Sequence, residues 1–185
     1  MRLLVVIGST RPGRVGLPLG EWFAGFATGH GAFEVDLVDL AELDLPLLDE
    51  PNHPRLQRYE NAHTKEWSAR VAAADAVVFV TAEYNYGYPA ALKNAIDFLH
   101  NEWKYKPLGY VSYGGIAAGT RAVQQLKQVT GALMMYSASN LVNIAWIGKY
   151  IDDESRFVPD EGIETAAKAM LDELAFLDGG LRHLR

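Results

Sequence analysis

Leu3-Leu4-Val5-Val6-Ile7-Gly8-Ser9-Thr10-Arg11-Pro12-Gly13-Arg14-Val15-Gly16 lies at the start of the chain and decides its fold. An unbroken apolar run closed by a glycine is the pattern of a strand buried on both faces. Beyond the loop, Val15, Leu19, Trp22, Phe23, Phe26 and Ala27 recur at helical spacing. A buried strand, a glycine-rich loop and an amphipathic helix make the first half of a βαβ unit.

The same alternation continues outward. Phe33–Asp39 alternates like a second strand, and 39–64, with Pro46, Pro51 and Pro54, reads as a long connection holding at most a short helix. Trp67, Val71 and Ala74 mark a helix that leads into a third strand over 76–80. Ala91, Leu92, Ala95, Ile96, Phe98 and Leu99 define the next helix, followed by a fourth strand over 108–111 and a helix over 118–129. A fifth strand falls less cleanly within 133–144, and Ile163, Ala167, Met170, Leu171 and Leu174 belong to a last amphipathic helix. Strands alternating with helices imply a parallel sheet with right-handed crossovers and helices on both faces. No repeat or linker interrupts the pattern, so one domain over 1–185 is expected.

Composition narrows the function. A net charge of -6 argues against a nucleic-acid or anionic-membrane binder, which rewards a basic face. The absence of cysteine removes disulfides, thiolate nucleophiles and iron–sulfur clusters, and is compatible with a reducing cytoplasm, the expected location. The apolar run from Leu3 to Ile7 is too short for a signal segment or a membrane span. The five histidines, at 30, 53, 63, 100 and 183, fall in no metal-ligand spacing, so no metal site is expected.

The first loop has the makings of an anion site. A helix start offers unpaired N–H groups and the positive end of the dipole, Ser9 and Thr10 add hydroxyls, and Arg11 and Arg14 add charge. It is not a P-loop: Gly8 and Gly13 have the required separation, but Arg14 and Val15 stand where Lys and Ser/Thr belong. It is not a dinucleotide fingerprint either, because Thr10 occupies the second glycine position. A single compact phosphate remains. Glu83-Tyr84-Asn85-Tyr86-Gly87-Tyr88-Pro89 follows the third strand, and a flat aromatic ligand suits its tyrosines. Val111-Ser112-Tyr113-Gly114-Gly115 ends the fourth, where paired glycines allow a tight turn or a close ligand.

Together these three loops resemble the NADPH-dependent FMN reductase family, which includes flavin, quinone, chromate and azo-dye reductases. The family's first loop, G-S-x-R with a small residue further on, is matched by Gly8, Ser9, Arg11 and Gly16. Its P-E-Y-N-x-S-x-P-G-x-L-K-N-A-I-D motif is followed by Glu83 to Asp97, with Ala82, Gly87 and Ala90 in place of the family Pro, Ser and Gly. Its V-S-x-G-G is matched by Val111 to Gly115.

The resemblance implies a flavodoxin-like three-layer α/β sandwich around a five-stranded parallel sheet of order 2-1-3-4-5. It implies that Ser9, Arg11, Val15 and Gly16 hold the FMN phosphate. Glu83, Tyr84, Asn85 and Tyr86 would line the ring, and Ser112, Tyr113 and Gly114 would close its other side. It implies a ping-pong reaction in which NADPH or NADH delivers hydride to the flavin and a small-molecule oxidant then takes the electrons. The cofactor carries that chemistry, so no catalytic side chain is named. A homodimer or homotetramer is expected, with the Leu92–Leu99 helix and Trp103 as either interface or core. The rival reading is a flavodoxin-type electron carrier, against which the two arginines of the first loop count.

Overall fold

The computed structural model describes residues 1–185. Strand β1 (Arg2–Ile7) leads to helix α1 (Gly16–Gly29), then β2 (Glu34–Asp39), the short α2 (Leu40–Leu43), α3 (Ala62–Ala72) and β3 (Ala76–Ala82). The chain continues through α4 (Ala90–Asp97), β4 (Pro107–Gly114), α5 (Thr120–Ala132), β5 (Tyr136–Ser137), β6 (Val142–Ala145) and α6 (Glu161–Leu181). The strands run parallel in the order β2-β1-β3-β4-β5, and β6 also pairs with β4.

Alternation along β1 sorts the helices into two layers. Leu3 and Val5 face one side and pack with Leu19 and Phe23 of α1 and with Met170 and Leu174 of α6. Leu4 and Val6 face the other and pack with Trp67 of α3, Ile96 of α4 and Leu126 of α5. Each of these β1 residues is fully buried, worth about 1.5–3 kcal/mol apiece relative to exposure. Leu92, Leu99 and Trp103 are also core residues.

The fifth strand position is split. β5 pairs with Pro107 and Leu108, and β6 pairs with 111–114 further along the same edge of β4. At the break, the N–H groups of Ser139 and Asn140 donate to the Glu173 carboxylate of α6, each at 2.8 Å. Both residues are exposed, and a side chain takes their N–H groups here in place of a ladder.

The long segment after β2 is held to the body by side chains. Asn94 accepts from the Leu48 N–H at 3.0 Å and donates to the Pro46 carbonyl at 2.7 Å. A single turn of 3-10 helix at Pro54–Leu56 precedes α3. Because all strands are parallel, the residues after Ile7, Asp39, Ala82, Gly114 and Ala145 lie at the same end of the sheet. That end, outside the carboxyl ends of the strands, is where ligands bind in such sheets. No helix is long and apolar enough to cross a membrane.

Candidate functional site

Gly8 is tied to β3 by its N–H, which donates to Val80 O at 2.9 Å. The next three N–H groups, of Ser9, Thr10 and Arg11, meet no backbone acceptor. The chain then turns through Gly13, at φ 69°, with Arg14 N–H donating to Arg11 O at 3.1 Å. Helix α1 starts at Gly16 with no side-chain cap. Its first N–H groups, like all N-terminal helical donors, have no intrahelical acceptor. The loop therefore carries donors without backbone acceptors at both its start and its end.

The two arginines of this loop have separate fates. Arg14 turns away and pairs with Asp39 at the end of β2, the two side chains being 16% and 5% exposed. Asp39 also accepts the Ala41 N–H at 3.0 Å, capping α2. Arg11 reaches only the carbonyls of Pro12 and Gly13, at 3.3 and 3.4 Å, on the exposed surface of its own loop. Of the two, Arg11 is the cation free to meet an anion.

The loop after β3 is a two-residue hairpin. Tyr84 and Gly87 exchange N–H···O bonds of 2.8 and 2.9 Å, and Asn85 and Tyr86 between them sit at φ 49° and 72°. Positive φ at both central positions is the signature of a type I′ turn. Glu83, just before it, has a side chain only 6% exposed that pairs with Arg121 on the first turn of α5. The same carboxylate accepts the backbone N–H of Arg121 at 3.2 Å, and the Arg121 guanidinium lies 3.8 Å above the Tyr86 ring. Nothing in the spacing of charged residues singles out Arg121; its partner Glu83 carries the only signal, inside the second motif.

The loop after β4 is closed from within. Ser112 Oγ is 2.8 Å from both the Ala118 carbonyl and the Asn143 side chain, so its hydroxyl is engaged in the fold. The helix expected from Ala118 starts two residues later, because Ala118 and Gly119 take φ 52° and 78°. A Cβ on Gly119 would stand 2.7 Å from Tyr113 N, so only glycine fits that corner. Tyr113 runs inward, its hydroxyl buried and without a hydrogen-bond partner. Burial, with Tyr84 nearby, pushes its pKa up. A Cβ on Gly16 would lie 2.4 Å from this hydroxyl. Tyr113 therefore reaches the first loop and is not confined to the ring side. Trp146, after β6, was not anticipated; it is half exposed at φ 53° and its N–H donates to Gly115 O at 3.2 Å.

Ser9, Arg11, Val15, Gly16, Glu83, Tyr84, Asn85, Tyr86, Ser112, Tyr113 and Gly114 thus lie at one end of the sheet, the first eight in the segments after β1 and β3 and the last three at the end of β4. Ser9 Oγ and Tyr84 Oη, 2.6 Å apart, connect the first two loops directly. The residues fit a phosphate-bearing flat ring on two counts. Free N–H groups and Arg11 supply the anion end, and the tyrosine turn supplies an aromatic wall. No group of three or more His, Asp or Glu gathers to hold a metal ion.

A family described as NADPH-dependent FMN reductase matches residues 1–146. An NAD(P)H-dependent FMN reductase of Schizosaccharomyces pombe is 42% identical over 142 residues, covering 76% of this chain and 70% of that protein. An FMN-dependent NADPH-azoreductase of Staphylococcus haemolyticus is 26% identical over 178 residues, covering 94% and 93%. Among solved structures, a flavoenzyme NAD(P)H:(acceptor) oxidoreductase of Paracoccus denitrificans superposes with a TM-score of 0.78 at 22% identity, over 97% of this chain and 98% of that one. That last likeness shows the fold.

Proposed function

The chain belongs to the NADPH-dependent FMN reductase family, and from that premise we infer that its three-loop site holds one FMN and passes electrons from NAD(P)H to a small-molecule acceptor. It is an FMN-dependent NAD(P)H oxidoreductase. When bound, FMN would supply the redox chemistry that links the nicotinamide donor to the acceptor.

The observation that carries the assignment of residues is the first loop. The N–H groups of Ser9–Arg11 and of the start of α1 have no backbone acceptor, and they flank an arginine without a carboxylate partner. Ser9, Arg11, Val15 and Gly16 bind the phosphate in this reading, Ser9 and Val15 through backbone. Glu83, Tyr84, Asn85 and Tyr86 flank the ring. Tyr113 and Gly114 close the opposite side, and Ser112 braces the loop that carries them. No side chain here acts as acid or base; the chain binds, orients and shields the ring. The acceptor class is a planar conjugated molecule such as a quinone or azo dye. It fits the exposed aromatic rim of Tyr84, Tyr86 and Trp146 and the azoreductase among the relatives.

In the same reading, residues 1–185 act as one domain in the cytoplasm, consistent with the absence of cysteine. The protein works as a homodimer or homotetramer. Leu47 is 85% exposed and Leu48 42%, on the segment that Asn94 pins to α4, an apolar surface suited to a second copy.

The test is NAD(P)H oxidation by the purified protein with added FMN, across a panel of quinones, azo dyes and free flavins. Consumption should rise with both FMN and acceptor. A flat trace from a protein that binds FMN would indicate an electron carrier, and a colourless protein that ignores FMN would overturn the reading.

A further inference from the structure

The two loops that flank the ring site are fastened together by a side chain outside both sequence motifs. Arg121 sits on the first turn of α5, beyond the Gly114–Gly119 loop, and grips Glu83, which opens the tyrosine loop. Its Nε is 2.5 Å from Glu83 Oε1 and its own backbone N–H donates to Glu83 Oε2. Glu83 therefore caps α5 as well as pairing with Arg121, since a carboxylate at a helix start satisfies a free donor and meets the positive end of the dipole. Of the helix starts after β1 and β4, that of α5 is closed by the protein's own carboxylate and that of α1 has no side-chain cap.

Tyr86 needs holding. A bulky aromatic residue at φ 72° occupies a backbone region that L side chains with a ring rarely adopt, and it persists only where surroundings over-determine it. Its side chain is 62% exposed, so burial does not hold it. The turn has two backbone bonds, both between Tyr84 and Gly87. Its ring is covered by the Arg121 guanidinium, stacked 3.8 Å over it. A flat, delocalised cation can pair with a carboxylate at one edge while stacking on an aromatic face, which an ammonium cannot do.

We propose that Arg121 is a positioning residue for the flavin ring: it clamps the Tyr84–Gly87 turn to α5 through Glu83 and covers Tyr86, so that the ring wall is set before the cofactor arrives. The proposal rests on the FMN-binding reading above. Because the clamp acts on the ring wall and not on the phosphate loop, its loss must weaken FMN and riboflavin alike.

The experiment measures FMN and riboflavin affinity by fluorescence quenching, and amide exchange of Gly87 in the cofactor-free protein. The variants are Arg121→Lys, Arg121→Gln and the double variant Glu83→Gln/Arg121→Gln, which leaves no buried unpaired carboxylate and keeps the test open if Arg121→Gln folds poorly. Each variant is expected to weaken both flavins by roughly ten-fold, equivalent to about 1.4 kcal/mol. The Gly87 amide should exchange faster by a similar factor, and lysine should not rescue either property. Wild-type affinity in Arg121→Lys and the double variant, unchanged Gly87 exchange, or a loss confined to FMN would each overturn the clamp. A wild-type protein that binds neither flavin would overturn the FMN reading itself.

Discussion

The hydroxyls of Ser9 and Tyr84 lie 2.6 Å apart and join the loop after β1 to the tyrosine turn. Ser9 is fully buried; its hydroxyl serves Tyr84, and its N–H meets no backbone acceptor. A shared bond predicts coupling. Ser9→Ala and Tyr84→Phe should each cost about 0.5–1.5 kcal/mol of stability, and the double variant about as much as either alone. Urea unfolding of the cofactor-free proteins measures this cycle, and strictly additive losses would count against the bond.

Arg11 and Arg14 should separate by phenotype. Arg11→Ala is expected to weaken FMN by about 1.5–3 kcal/mol, the worth of a hydrogen bond to a charged group, and to leave riboflavin affinity unchanged. Arg14→Ala strands the Asp39 carboxylate, which is 5% exposed, and should cost about 3 kcal/mol of folding stability. Parallel flavin titrations and denaturant melts distinguish the two. An FMN defect in Arg14→Ala without loss of stability would mean that the loop reads its ligand with the other arginine.

Gly16→Ala should damage the site sterically. The added methyl would lie 2.4 Å from the Tyr113 hydroxyl, on a side chain locked in the core, and overpacking of this kind costs about 1–3 kcal/mol. Tyr113→Phe removes the crowded oxygen, and that oxygen has no hydrogen-bond partner to lose. The pair Gly16→Ala/Tyr113→Phe is therefore expected to recover much of the stability and FMN affinity lost by Gly16→Ala. No recovery would show that the obstruction lies elsewhere.

The sheet and its helices were legible in the sequence because apolar period decides them. Leu3 to Ile7 and 76–80 read as buried strands, and both are. The split edge strand was not legible: the break depends on Glu173, distant in sequence, bonding Ser139 and Asn140. The start of α5 was missed for a related reason. Ala118 is a good helix former, but the corner around Gly119 holds it at positive φ, a tertiary override of propensity. In the site, the glycine and tyrosine loops announced themselves by composition. Two pairings did not. Arg14 looked equivalent to Arg11 until Asp39 claimed it, and Arg121 carried no motif of its own. Charge–charge partners are chosen by the fold, so residue type alone cannot assign them.

Lys106 gives the fold a pH dependence far from the site. It is 3% exposed, and its ammonium donates to the carbonyls of Val71 and Ala72 at the end of α3. Burial, reinforced by Arg185, pushes its pKa down to about 8, while Asp75 and Glu102 act in the opposite sense. An unfolded lysine titrates near ~10.4. Above pH ~8, then, the unfolded state binds more protons than the folded one, and stability must rise with pH, by about 1 kcal/mol per unit at most. The window closes near pH ~10, where buried tyrosines with raised pKa, Tyr59, Tyr110 and Tyr113, begin to act the other way. Urea unfolding of the wild type against Lys106→Met from pH ~8 to ~9.5 should show the slope in the wild type only. Equal slopes in both proteins would place the Lys106 ammonium at its ordinary pKa and remove the effect.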